Sequence, residues 1–414
     1  MKKLIIALAV LFLCFNLAAI KTGKSIFYSD SYMLRARGVE AAYWNPANLM
    51  PTKNIDIWLP AANTGIQVSN NALDLDTYNS VVGDEYLDQA EKDALLNKIE
   101  GSLQGSFSGN HSIFGLTLGN MAFASSASYM GKTGISKRYL ELLLNGNADS
   151  LYVFDNKSNQ VSATSYVDFT YGMGNLTLPL GEKIPPIRAG FSASILVGFM
   201  DGYTQRFEGY LSSTMDGISM HQDVTLRTGV GGFGFKSMLG LASQPYPGLD
   251  VGLTVDNIFG ALKWSGKTED RIYGFHADSV YVSNINDDFY TQTDETIDID
   301  SYTTSLPPEL RLAAMYTLSQ LSISADYVQG FKNSVITDNT GRLAFGAEIS
   351  PIPILRLHTG LGLGNSSYPW RISYGFSLRS STLEGGLSVQ SFQSVFPGTK
   401  SKGIAFGSFI RLWI

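Results

Sequence analysis

The sequence predicts an all-β protein, a single-chain antiparallel transmembrane barrel of about 14 strands, and three observations carry that expectation. The first is a strict period of two from Glu309 to Ile414: Leu343, Phe345, Ala347 and Ile349 fall on one side of a segment, Arg342, Ala344, Gly346 and Glu348 on the other. The second is the character of the polar side, which mixes Gly, Ser and Ala with sparse charges of both signs, as a crowded lumen requires. The third is a basic, then apolar, N-terminus followed by no apolar run long enough for a helical span. A soluble sandwich would bury the same faces as core; the length of the segments, roughly nine to twelve residues, favours a tilted crossing of a bilayer.

Composition leaves the class open, since an apolar fraction of 44% and a mean hydropathy of +0.03 are ordinary, but 42 Gly, 23 Phe and 21 Tyr suit lumen packing and interfacial girdles. Net charge is −6, and −8 once Lys2 and Lys3 leave with the signal, which excludes a nucleic-acid partner. Residues 1–19 read as an export signal: Lys2 and Lys3, the run Leu4 to Phe15, then Ala18 and Ala19 for cleavage. Cys14, the single cysteine, lies inside that run, so the exported chain has no thiol, disulfide or cysteine metal site.

Residues 20–54 form an N-terminal segment and 55–414 the barrel, with no repeat that would divide it. The segment holds Gly38-Val39-Glu40-Ala41-Ala42-Tyr43-Trp44-Asn45-Pro46-Ala47-Asn48-Leu49, where Asn45 before Pro46 marks a turn. This run, behind an export signal and ahead of a train of strands, resembles the outer-membrane long-chain fatty acid transporter superfamily. It is similar in particular to a branch known only as a domain of unknown function. Arg37-Gly38 to Leu49, Tyr166-Val167-Asp168, Leu306-Pro307-Pro308 and Gly341 to Glu348 carry the likeness. The resemblance implies that residues 20–54 fold into the barrel as a plug, with Gly38, Tyr43, Trp44, Asn45 and Pro46 as candidate gate residues. It implies location in the outer membrane of a Gram-negative-type bacterium, contact with outer-membrane lipid, and passive uptake of small hydrophobic or amphipathic molecules. It places no ligand-contacting residue.

Ile55 to Asn70 reads as a strand, then Leu87, Ala90, Leu95, Leu96 and Ile99 recur at helical spacing, as do Tyr139, Leu140, Leu143 and Leu144. Strands are expected at 106–118, 121–130, 161–178 and 188–200, with 203–213 pairing back on the last of these, and then at 218–235 and 249–264. Residues 267–306, rich in Asp287, Asp288, Asp294, Glu295, Asp298 and Asp300, read as a long external loop. Seven segments from Glu309 complete the chain.

Chemistry is sparse. The acidic run lacks the spacing and glycine of a calcium loop, His111, His221, His276 and His358 show no paired spacing, and no nucleophile elbow is present. No cofactor and no catalysis are expected. The inward charges Arg311, Asp326, Arg342, Glu348, Arg356, Arg371, Arg379, Glu384 and Arg411 suggest a salt-bridge ladder filling the lumen. The alternative is that the excess of Arg, with Tyr43 and Trp44, holds the head of an amphipathic anion. Beside transport stand two other readings, a barrel that docks a secreted protein through 267–306 and an outer-membrane enzyme.

Overall fold

A computed structural model describes residues 20–414 apart from 51–54, 84–86, 148–150, 180, 182–184, 216, 281–289, 335–336, 338 and 365–368. The expected export signal therefore lies outside the described residues. One antiparallel sheet closes on itself as a barrel of 14 strands. β1 comprises Asp56–Trp58 and Thr64–Asn70, β2 is Ser102–Leu118, β3 Met121–Ser136, and β4 Leu151–Phe154 with Gln160–Thr177. β5 is Ile187–Thr214, β6 Gly217–Tyr246, β7 Leu249–Asp256 with Gly260–Val280, and β8 Tyr290–Asp298, Tyr302–Leu306 and Glu309–Leu318. β9 to β14 are Leu321–Gly330, Arg342–Ile352, Leu355–Leu363, Arg371–Arg379, Leu383–Phe392 and Gly403–Trp413. β14 pairs with both pieces of β1, so the last strand seals against the first.

The outward face is the apolar one. Ile323, Phe345, Leu357, Phe376, Leu387 and Phe406 all stand exposed, Leu387 to 58%, while their neighbours Ser324, Ala344, His358, Ser377, Ser388 and Ala405 are buried. Such an inverted distribution is stable only where the surroundings are hydrocarbon. The apolar belt and the closed sheet place the chain in the outer membrane of a Gram-negative-type bacterium, its strands pairing their main-chain groups across the sheet. Short connections such as 119–120, 319–320 and 353–354 lie at one end and mark the periplasmic side; the longer ones, including helices α1 (Leu75–Gly83), α2 (Gln89–Asn97) and α3 (Lys137–Asn145), lie at the other.

Two expectations are corrected. Residues 203–213 do not turn back on 188–200, because β5 is one strand of 28 residues, straight through Asp201 and Gly202. The region 267–306 is not an irregular loop either: Gly260–Val280, Tyr290–Asp298 and Tyr302–Leu306 are strands, and Asp287 and Asp288 fall outside the described residues. β5 and β6, at 28 and 30 residues, run ~100 Å along the chain against a hydrocarbon thickness of ~30 Å. The upper parts of β4 to β8 thus stand beyond the membrane as a sheet, here called the wing.

Candidate functional site

Residues 20–49 fill the middle and the short-turn end of the lumen. The segment is a series of short turns, Gly23–Tyr28, Gly38–Glu40, Ala41–Trp44 and Pro46–Asn48, too short to hold shape alone and fixed instead by the wall. Phe27, Tyr32, Met33, Val39 and Trp44 are buried together with Trp58 and Phe409 of the barrel.

Each candidate gate residue has a definite seat. Gly38 has φ of 61°, and a Cβ there would fall 1.5 Å from an Asp56 carboxylate oxygen, so only glycine fits. The Tyr43 ring lies parallel to Trp58 at 5.7 Å, and its hydroxyl donates to Asp168 at 2.7 Å. Trp44 Nε1 donates to Thr22 Oγ1 at 3.0 Å while the Arg311 guanidinium covers the indole at 4.8 Å. Asn45 caps the next turn by accepting from the Ala47 amide at 3.0 Å, and its Nδ2 donates to the Leu241 carbonyl at 3.1 Å. Three glycines of the wall make this possible: a Cβ on Gly174 would lie 1.8 Å from the Pro46 carbonyl, on Gly190 2.4 Å from Pro46, and on Gly240 2.1 Å from Asn45 Oδ1.

The inward charges are paired, but less to one another than the alternation of strands suggests. Arg371 bonds Asp30 at 2.8 Å, Glu384 meets Lys24 at 3.3 Å, and Arg411 meets Asp56 at 2.9 Å. Glu348 takes Arg356 at 3.2 Å, Arg35 at 3.8 Å and the Tyr28 hydroxyl at 2.5 Å. Arg311 reaches Asp326 at 3.4 Å, Glu309 at 3.5 Å and the Asp30 carbonyl at 2.9 Å, and Arg342 shares Glu309. Arg379 sits at the short-turn rim over Trp413, opposite Glu384 in the register. Much of the neutralisation therefore comes from the N-terminal segment, which explains how so many ions tolerate enclosure. Within the segment, burial raises the Glu40 carboxyl above the usual range, against Lys24 and the hydrogen bond from Tyr32.

Above the segment lies a cavity of about 50 Å³. Ile20, Lys21, Ala42 and Tyr43 line it from the segment, and Ser126, Ser128, Asp168, Ser192, Ser194, Lys236, Met238 and Asp256 from the wall. Lys21 is held by Asp256 at 2.7 Å. Lys236 has no ion pair among the described residues; its ammonium lies 5.7 Å from the Tyr166 ring. Met130 and Tyr166, also in the lining, belong to a buried apolar layer with Leu196, Leu262, Trp264 and Leu306. Trp264 donates to Thr304 at 2.9 Å and lies against Gly198 and Gly232, where a Cβ would come within 2.5 and 2.7 Å of the indole.

Lys236 and Trp264 were not among the residues the sequence singled out, and Tyr166 entered only as part of the Tyr166-Val167-Asp168 likeness. Lys236 follows Phe235 on the inward parity of its strand, yet nothing in the sequence marks a cavity there. Two of the histidines come together only in the fold. His221 and His276, distant in sequence, are direct cross-strand neighbours in the wing with rings 4.7 Å apart, bonded to Asp278 and Asp223.

A transmembrane β-barrel with a lumen occupied by its own N-terminal segment is the class that fold and site define. No family model matches the sequence, and no curated protein matches it. Solved structures do. The toluene transporter TodX of Pseudomonas putida is similar with a TM-score of 0.50 at 10% identity, over 97% of this chain and 99% of that one. TbuX, the toluene transporter of Ralstonia pickettii, has a TM-score of 0.47 at 12% identity over 91% and 93%, and a FadL homologue of Pseudomonas aeruginosa 0.47 at 12% over 97% and 98%. The likeness is one of fold, a closed transmembrane barrel like that of TodX.

Proposed function

We propose that this barrel passes small hydrophobic or amphipathic molecules inward across the outer membrane, passively, with Gly38 to Leu49 as its gate. The observation that carries this reading is the cavity held between two closures, the N-terminal segment below and the layer around Trp264 above. A pore that must not leak needs both ends shut at rest, and a site between them takes a molecule as each opens in turn. The lining suits an amphipathic guest, since Ile20, Ala42, Met130 and Met238 offer apolar contact while the serines, Lys21 and Lys236 offer polar contact. A shared fold with a toluene transporter supports the ligand class. Arg311, Arg342, Arg356, Arg371 and Arg411 are spoken for by carboxylates, which favours a structural role for them and makes Lys236, in the cavity lining, the cation for a charged head.

The test is uptake into proteoliposomes of toluene and of a medium-chain fatty acid. Wild type is expected to accelerate entry of at least one, and deletion of residues 38–49 to raise permeability to small hydrophilic solutes. No uptake by wild type, with no change on deletion, ends the reading.

A further inference from the structure

The wing has two margins, and they are finished differently. On the β4 side the strand Leu151–Phe154 is four residues long and has one face covered. α3 lies over it, Tyr139 meets Phe154 ring to ring at 4.9 Å, and Arg138 donates to the Leu151 carbonyl at 2.9 Å. On the opposite side Tyr290–Asp298 pairs with β7 over nine consecutive positions without a register shift, from Asp298 opposite Glu269 to Tyr290 opposite Ala277. Its other side forms no main-chain hydrogen bond with any described residue, because β9, the next strand round the barrel, ends at Gly330 opposite Glu309, well below. Among the described residues this leaves a long open row of amides and carbonyls, outside the membrane.

Natural proteins protect such an edge with lysine, proline, a bulge or a covering loop. Tyr290–Asp298 has no proline, no bulge and no lysine, and it is built from strand-forming Thr291, Thr293, Thr296 and Ile297. Its charges are all acidic. Asp294, Glu295 and Asp298 are exposed, and their carboxylates, with that of Asp300 just beyond, have no hydrogen bond or ion pair among the described residues. Two cations of the paired strand, Lys267 and Arg271, are both taken by Glu269, at 2.8 and 2.6 Å.

We propose that Tyr290–Asp298 is a docking edge that accepts an extended, lysine- or arginine-bearing segment of another protein as an additional strand of the wing. The open main chain supplies the hydrogen bonds of strand addition, and the unpaired carboxylates select a basic partner. The same charges disfavour a second copy of this chain, which would bring acidic edge against acidic edge. The assignment is independent of what crosses the lumen.

The experiment uses the full chain in nanodiscs and three fluorescent peptides: one alternating lysine with valine, its glutamate counterpart, and the lysine peptide N-methylated on alternate amides. The lysine peptide is expected to bind, with the glutamate peptide at least about tenfold weaker and the methylated copy not binding. The combined substitution D294K, E295K and D298K is expected to reverse the preference, and Thr293→Pro to abolish binding of either peptide. Because Thr293→Pro could unravel the wing, the charge-reversed protein stands as the second variant, its folding checked by unchanged strand content. Failure of the lysine peptide to bind, equal binding by the methylated copy, indifference to charge reversal, or concentration-dependent self-association lost in Thr293→Pro would each overturn the assignment.

Discussion

Asn45 and Pro46 sit where three strands of the wall have no side chain, and a Cβ at any of the three would come within 2.4 Å of the turn. Adding atoms at Gly190 or Gly240 is expected to displace the turn at a cost of ~1–3 kcal/mol, the usual range for overpacking. Hydrogen exchange would show it as faster labelling of residues 41–49 in Gly240→Val, with the wall amides unchanged. The ion pair Asp30 with Arg371 is similarly exacting. Asp30→Ala leaves an enclosed guanidinium short of its carboxylate and is expected to destabilise the packed lumen by ~3–5 kcal/mol, read from the unfolding midpoint in micelles. Glu40 gives a dependence on pH. Its folded carboxyl holds the proton to a higher pH than the unfolded one, so its contribution is full below the ordinary carboxylate range and is lost as pH rises through the raised value. Wild type should show that decline in its thermal midpoint, and Glu40→Gln should flatten it; an unchanged slope in the variant would refute the assignment.

At the scale of elements, legibility followed the environment. Where a strand has lipid on one side and a packed lumen on the other, as from Arg342 to Ile352, the alternation is almost without exception and the reading from residues agrees with the structure. Tyr290–Asp298 has water near both faces, so Thr, Asp and Glu occupy successive positions and the period of two disappears. Only its β-forming composition remained as a signal, and charge masked it. Asp201-Gly202 misled for a related reason: a pair that usually turns a chain here sits in a ladder, with Asp201 accepting from Thr304 at 2.9 Å and Tyr302 at 3.1 Å. Contacts between the segment and the wall were beyond reach, since Tyr43 and Asp168 are 125 residues apart and nothing local joins them. Replacing Tyr43 by Phe is expected to remove ~1 kcal/mol from the seat of that turn while leaving the stacked pair with Trp58 intact.

For the whole molecule, the decisive contrast is between a belt that tolerates no charge and a lumen that is full of it. An arginine placed at Phe345 or Leu357, outward and mid-belt, is expected to destabilise the inserted barrel by ~2–4 kcal/mol. Folding into liposomes under urea measures this directly, and a loss near zero would mean that these faces do not meet hydrocarbon.

The wing is joined to the barrel in two manners. β5 and β6 pass from one to the other as unbroken beams, whereas β7 is interrupted at 257–259 and β8 at Pro307 and Pro308, side by side, where Asn257 donates to the Pro307 carbonyl at 3.3 Å. A load applied to the outer margin therefore bends the sheet about a seam on one flank while the other flank stays stiff. That seam borders Lys236 and Met238 in the chamber wall, so bending there is expected to shift residues that line the chamber.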